Sequence, residues 1–438
     1  MIDMDKNHKN KFEDISSLHP ADIADILRNR GRKERLAIFS SLSYEKAAQV
    51  MSELDPQSEY ELLKELSSFT ISKMVEMMPP DEAADILADL SSEKQKEVLS
   101  LMEKEDSQEV QQLLKYPEET AGGIMTTNFL ALPEDFTASR AIEALRQFVK
   151  DAKAQLVYVY VIDKKTNFIG VLPVKSLITA APNEKLSQLV NRNTITVSPN
   201  LDQEEVARIV SKYNLLAVPV VDENKKLLGI VTIDDILDII QEEDAEDIYK
   251  MAGISHDELL KKSAFNIARQ RLPWLITNLF GGVIVANLIR YFQLTLEKVI
   301  ALAFFIPVIT GMGGNIGIQS STIIIRGLAS GQIAFGEIRK ALFKELKQAL
   351  IMGAVCGVVV GLVAYYLGKS PLLGFVLMIS MFIAILVAAL MGVVIPLLFE
   401  KINIDPAIAG GPFITTANDI TGVLIYFTLA TWLFRLFG

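Results

Sequence analysis

Asp419 lies inside the last long apolar segment of the chain, which runs from IDPAIAGGPFITTANDI (404–420) through Gly422-Val-Leu-Ile-Tyr-Phe to Leu436. A segment of that length spans a hydrocarbon core of roughly 30 Å, so the sequence puts a carboxylate at membrane depth. A charge there is costly, faces other helices or water, and marks an ion or proton path. Gly411, Thr415 and Asp419 recur every four residues, which on a helix makes one face with close backbone approach, a hydroxyl and a charge. That face suits the wall of a cation path. Further carboxylates repeat at helical spacing. Asp81 and Asp85 share a helix face that reads either as solvated surface or as half of a divalent-ion site. In DDILDIIQEEDAEDIYKMAGI (234–254), Asp234, Asp235, Asp238, Glu242, Glu243, Asp244, Glu246 and Asp247 fall within fourteen residues. Like charges on one helical stripe repel unless cations neutralise them.

The elements that must position these groups fall into two halves. Residues 1–260 carry 29 Lys and Arg against 47 Asp and Glu, whereas residues 261–438 carry 14 against 6 and hold the apolar excess. An acidic half large enough for two domains is joined to a membrane half with basic flanks. So acidic a surface disfavours nucleic acid and suits cations. The opening MIDMDKNHKNKFED has no apolar stretch of the kind that begins a signal peptide, so the acidic half is expected to stay in the cytoplasm. Cys356 stands alone in an apolar run, expected to be buried as a small hydrophobe, and His8, His19 and His256 are scattered. No disulfide framework, thiolate site or histidine site is implied, so any bound metal must be held by oxygen.

In chain order, residues 15–115 read as short helices. HPADIADIL (19–27) and PPDEAADIL (79–87) are alike at a spacing of 60, each with proline and acid where a first helical turn accepts them. Helix pairs burying apolar stripes on their neighbours predict a superhelix. From about Tyr116 the pattern becomes a short strand, a helix, two apolar strands joined by a polar turn, and a helix, and this order occurs twice. Beyond it lie about five candidate spans: near Leu272–Tyr291, Val299–Ile325, Leu346–Leu367, Leu373–Leu398 and after Pro406. The second is expected to be broken at Gly311-Met-Gly-Gly-Asn315, with irregular backbone lining a cavity; close packing through small residues is the competing explanation. Arg326, Arg339, Lys340, Lys344 and Lys347 cluster between spans two and three, which puts that loop in the cytoplasm and, with an odd span count, the C-terminus outside.

The tandem, above all VPVVD followed by LLGIVTIDD in its second copy, resembles a pair of CBS domains, modules that bind adenine nucleotides or metal between their copies. Together with GMGGNIGIQS (311–320), DPAIAGGPFITTANDITG (405–422) and the acidic helical N-terminal region, the chain resembles the MgtE family of magnesium transporters over nearly its whole length. The expected architecture is multidomain: an all-α cytosolic superhelical N-domain (1–115), an α/β tandem CBS pair (116–182 and 183–240), a connecting plug helix (241–270) and an α-helical transmembrane pore domain (271–438). The resemblance implies a homodimer in the cell (inner) membrane, a pore lined by spans two and five, and channel-like entry of Mg²⁺ into the cytoplasm. It also implies closure by cytosolic Mg²⁺ bound between the N-domain, the CBS pair and the plug helix, with ATP a candidate occupant of the CBS cleft.

Carried over by motif, Asp419 matches the pore aspartate, with Gly411, Thr415, Gly313, Gly314 and Asn315 along the path, and Asp405 matches the acid at the cytoplasmic mouth. Asp81, Asp85, Asp202, Glu204, Asp235, Asp238, Glu243, Glu246 and Asp247 match sensor ligands, whereas Asn214 stands where the family pattern would allow a carboxylate. No GxxxxGK[ST] loop or DKTG-like phosphorylation site occurs, so the chain is expected to be no enzyme. A membrane-anchored nucleotide or metal sensor, and a broader divalent-cation transporter or proton-coupled exchanger, are the alternatives.

Overall fold

The computed structural model describes residues 15–151, 157–254, 264–330, 333, 338–402 and 404–437. The N-terminal residues on which the cytoplasmic expectation rests, and residues 255–263 of the expected plug, lie outside the described residues. The chain divides into two compact units, Met1–Glu242 and Glu243–Gly438.

In the first unit, α1 (Pro20–Arg28), α2 (Arg32–Phe39), α3 (Tyr44–Ser52), α4 (Pro56–Glu65), α5 (Ser68–Val75), α6 (Pro80–Ala88), α7 (Ser92–Leu101) and α8 (Lys104–Leu113) form the expected superhelix. Pro20, Pro56 and Pro80 occupy first-turn positions, where the missing amide hydrogen costs nothing. Alternate helices pack together, α1 on α3, α3 on α5, α5 on α7 and α6 on α8, so each apolar stripe is covered by the helix after next. Ser43, Asp55, Ser67 and Ser91 cap their helices by accepting from backbone amides.

The tandem follows as β1 (Ala131–Pro133), α9 (Ala138–Asp151), β2 (Tyr158–Ile162), β3 (Phe168–Pro173) and the short helices α10 (Val174–Thr179) and α11 (Leu186–Leu189). The second copy comprises α12 (Gln203–Tyr213), β4 (Ala217–Val221), β5 (Leu227–Thr232) and α13 (Ile233–Met251). In each copy the last two strands are antiparallel, and β1 adds to β2 in parallel. The copies meet through Tyr160, Leu227 and Ile230 and through a Phe168 amide bond to the Lys225 carbonyl at 2.8 Å. Residues 121–126 pair with the second copy: Ala121 bonds to Leu201 O, Gly122 to Pro199 O, and Thr126 exchanges both bonds with Ile230. One hydrophobic core, from Ile23 through Leu87 and Met125 to Ile236 and Ile239, therefore joins the superhelix to the second copy.

Among the described residues, the second unit contains five helices long and apolar enough to cross a membrane. They are α14 (Ala264–Tyr291), α16 (Ile306–Ala329) with a preceding 3₁₀ turn (Ile300–Phe305), α17 (Ile338–Gly368), α18 (Pro371–Lys401) and α19 (Gly411–Phe437) with its own 3₁₀ turn (Pro406–Ala409); the short helix α15 (Gln293–Lys298) follows α14. Their core is built from Ile309 and Ile316 of α16, Val376 to Ala389 of α18 and Val423 to Leu433 of α19. Gly353, Gly357 and Gly361 lay one face of α17 against α18 so closely that an added Cβ would stand 2.7 Å from Met378 O and 2.8 Å from Gly374 O, a small-residue contact that packs helices where no hydrophobic drive exists. Cys356 is half-buried against this core rather than fully enclosed.

The expected break in span two does not occur. Residues 306–329 form one continuous α-helix through Gly311-Met-Gly-Gly-Asn315. Pro307 lies in its first turn, where it removes no helical bond. In a membrane the intrahelical bonds outweigh the roughly 1 kcal/mol helix cost of each glycine. Gly313 and Gly314 lie against Asn418 and Thr415 of the last span while Gly311 meets nothing within 4 Å, and the irregular backbone lies earlier, in the 3₁₀ segment Ile300–Phe305.

Candidate ion path and acidic clusters

The three polar positions expected on the last span share α19 but differ in their surroundings. Gly411 has φ +38°, and a Cβ there would stand 2.3 Å from the Met251 carbonyl, so glycine is needed where the end of α13 abuts the start of α19. Thr415 Oγ1 donates to Gly411 O at 2.8 Å, and its methyl group lies 3.4 Å from the Cβ position of Gly314. Asp419 is half-buried one turn further along. On α16, Gly313 and Gly314 are buried against α19 with their carbonyls inside a regular helix, while Asn315 points to the exposed side with Gln319. The contact between α16 and α19 is therefore glycine against Thr415 and Asn418, with Asp419 beside it.

A first acidic cluster forms in the first unit. Asp81 on α6 is 8% exposed, and its Oδ1 has no hydrogen-bond partner among the described residues. Burial pushes its pKa up to about 6 against the opposing hydroxyl of Thr126, with Glu82 and Asp234 adding to the rise. Asp85 is pushed up to about 7 by burial of its carboxyl and then by Asp81, Glu118, Asp235 and Glu242, although the residue still reaches solvent, which screens part of that repulsion. Asp235, accepting from Thr232 Oγ1 at 2.5 Å, is raised to about 7 by burial despite that bond, with Asp81 and Asp234 contributing. Asp85 and Glu118 line a cavity of about 290 Å³. Asp238 lies on the exposed side of α13.

Two sequence candidates sit elsewhere in explicit structural roles. Asp202 caps α12 by accepting from the Glu204 amide at 2.9 Å, and both side chains are exposed. Asn214 ends the same helix at φ 50°, a left-handed cap that favours asparagine, so its departure from a carboxylate has a backbone cause.

A second cluster gathers in the second unit. Lys250 Nζ bonds to Glu246 Oε1 at 2.6 Å and to Asp405 Oδ2 at 2.7 Å. The other oxygen of Asp405 accepts from the Ala407 amide at 2.8 Å and so starts the 3₁₀ turn before α19. Burial raises Asp247 to about 6, followed by repulsion from Asp405, Glu243 and Glu246 and opposed by Lys250. Arg326, near the end of α16, grips Asp244 through both guanidinium nitrogens. Glu82, Glu118, Lys250 and Arg326 were not legible as site residues. Glu118 sits in a connection with no periodicity, and the two cations are single charges whose partners are distant in sequence. Among the described residues no three acidic, histidine or cysteine side chains converge as a ready-made metal shell.

Comparison with known proteins joins these parts. The family described as "Divalent cation transporter" matches residues 306–429, its intracellular N domain matches 18–119, and CBS domains match 121–183 and 186–242. A magnesium transporter MgtE of Bacillus subtilis is 38% identical over 417 residues, covering 95% of this chain and 92% of the relative. The chain belongs to the MgtE family of magnesium transporters. The MgtE of Thermus thermophilus is 34% identical over 95% of this chain and 94% of its own length. Among solved structures, the cytosolic domain of the Mg²⁺ channel MgtE in complex with ATP matches with a TM-score of 0.50 and 33% identity, covering 52% of this chain and 93% of that one. The five long apolar helices make this MgtE-family chain a multi-pass membrane protein.

Proposed function

We propose that the protein is a channel-like transporter that admits Mg²⁺ to the cytoplasm down its electrochemical gradient and is closed by cytosolic Mg²⁺. The observation that carries this reading is Asp419, a half-buried acid within an apolar span helix, next in sequence to Asn418, which packs on the glycines of α16. Magnesium is held by few carboxylates with several waters retained. Two subunits around a two-fold axis would bring two Asp419 side chains to one hydrated ion. The membrane potential supplies about 4.6 kcal/mol for a divalent ion at 100 mV, from about 2.3 per charge.

Closure follows from charge. Asp81, Asp85, Asp235 and Glu118 in one cluster, and Glu243, Glu246, Asp247 and Asp405 in the other, repel when uncompensated. The orphan Oδ1 of Asp81 and the raised carboxylates suit a hard cation. An ion keeping most of its waters would draw each cluster together, and its preference for the gathered state is what shifts the gate. The orientation has the N-terminal domains in the cytoplasm and the C-terminus outside. ATP is proposed to occupy the CBS cleft, as in the related cytosolic domain crystallised with it.

Uptake into vesicles at two internal Mg²⁺ concentrations tests this reading. Asp419→Ala is expected to remove transport, and Asp235→Asn, Asp238→Asn and Glu246→Gln to leave uptake open at high internal Mg²⁺. Normal closure in all three sensor variants would refute the gating scheme. Wild-type protein that binds ATP but moves no ion would favour a membrane-anchored sensor. Flux of Mn²⁺, Co²⁺ and Ca²⁺ with and without a pH gradient decides between selective, broad and proton-coupled transport.

A further inference from the structure

Asn418, the residue before Asp419, is 1% exposed, and neither its amide oxygen nor its amide nitrogen has a hydrogen-bond partner among the described residues. Span two seals it in. A Cβ on Gly317 would stand 1.9 Å from Asn418 Nδ2, and one on Gly313 would stand 3.8 Å from Asn418 Cβ. Leaving a buried amide unsatisfied is a substantial cost, and such groups are rare enough to need a cause. An apolar side chain would fill the same contact without that cost, so packing alone does not explain asparagine here.

The burial is complete within one chain. Neither lipid nor a second copy reaches this amide while α16 and α19 remain in contact. Its partners must enter between the two helices, where Ile414 and Asn418 of α19 are seated in the notch at Gly317. Gly313, Gly314 and Gly317 place no side chain of their own across that contact.

We propose that Asn418 is a pore-lining, specificity-determining residue of the conducting state, hidden in the α16–α19 contact when the path is shut and exposed when those helices part. There its amide exchanges hydrogen bonds with the water shell of the passing divalent cation, next to the carboxylate of Asp419. A neutral amide contacts that shell without adding charge, which favours an ion that keeps its waters. This inference rests on the ion path beside Asp419 proposed above, widened on opening by the parting of α16 from α19.

The test uses full-length protein in vesicles with internal Mg²⁺ set low or high. Asn418→Ala and Asn418→Leu are expected to slow Mg²⁺ uptake roughly threefold to tenfold, the loss of about one hydrogen bond, while the melting temperature in detergent holds or rises. Asn418→Cys, made with Cys356→Ser, is expected to react with a hydrophilic methanethiosulfonate reagent at low internal Mg²⁺ and to be protected at high Mg²⁺. Wild-type uptake in both apolar variants overturns the inference alone. So does an equal fall in melting temperature for both, which would mark an amide satisfied by enclosed water, or thiol labelling that ignores internal Mg²⁺. A wild type that carries no Mg²⁺ removes the underlying ion path and the inference with it.

Discussion

Carboxylates crowded together in a partly dry cleft keep their protons into the neutral range. Glu59 is raised to about 7 by burial and by Asp89, Asp85 and Asp55, joining Asp81 at about 6 and Asp85 and Asp235 at about 7. Each folded value lies above the ordinary one near 4, so between pH 4 and 7 the folded chain binds more protons than the unfolded chain. Stability from these groups is complete at the acidic end and is lost as pH rises through about 6 to 7. In chelator, the melting temperature of the first unit's transition is therefore expected to fall from pH 5 to pH 8, and millimolar Mg²⁺ is expected to restore more at pH 8 than at pH 5. A transition that rises with pH in chelator would contradict these shifts. For Asp419, uptake by Asp419→Asn is expected to drop roughly 10- to 100-fold, the worth of a hydrogen bond to a charged group, although the side-chain volume is kept. Asp419 was visible from the sequence because a lone acid in a long apolar segment is anomalous. Asn418 was not, because an amide becomes informative only when its surroundings leave it without partners.

Helix surfaces carry information that spacing conceals. Gly353, Gly357 and Gly361 were unremarked in an apolar run, yet their four-residue repeat seats α17 on α18. Gly357→Leu is expected to destabilise the membrane unit by about 1–3 kcal/mol or more through overpacking, seen as a lower melting temperature in detergent, whereas Cys356→Ser should change it little. On α16 the glycines suggested a broken helix because glycine weakens helices in water. In the structure they sit in a regular helix, and only Gly317, one turn on, makes a close contact with α19; Gly317→Ala is expected to lower the melting temperature in detergent and to slow uptake, whereas a substitution at exposed Asn315 is expected to leave the melting temperature unchanged. The exposed grip of Arg326 on Asp244 is worth about 0–1 kcal/mol to stability. Arg326→Ala should therefore shift closure by internal Mg²⁺ more than it shifts the melting temperature.

Across the whole molecule the charge asymmetry and the unequal burial of the spans point the same way. Only 6% of the apolar stretch of α14 is buried within one chain, against 39% for the spans containing α16 and α18. Leu275, Leu279, Phe280 and Ile284 stay exposed on α14, a face for lipid or a second copy. The purified protein is expected to run as two chains per particle by native mass spectrometry or mass photometry; a single chain that still transports would remove the two-fold arrangement of Asp419.

Sequence alone determined the order of the modules, the first-turn prolines, the five spans and the intramembrane acid, because periodicity, composition and a charge in an apolar run are local properties. Tertiary structure alone decided which acids meet, that Asp202 and Asn214 cap a helix, that Lys250 and Arg326 compensate the acids near the end of α13, and that span two is unbroken. Those facts depend on partners far apart in the chain and on whether a glycine is asked to bend a helix or to let another helix approach it.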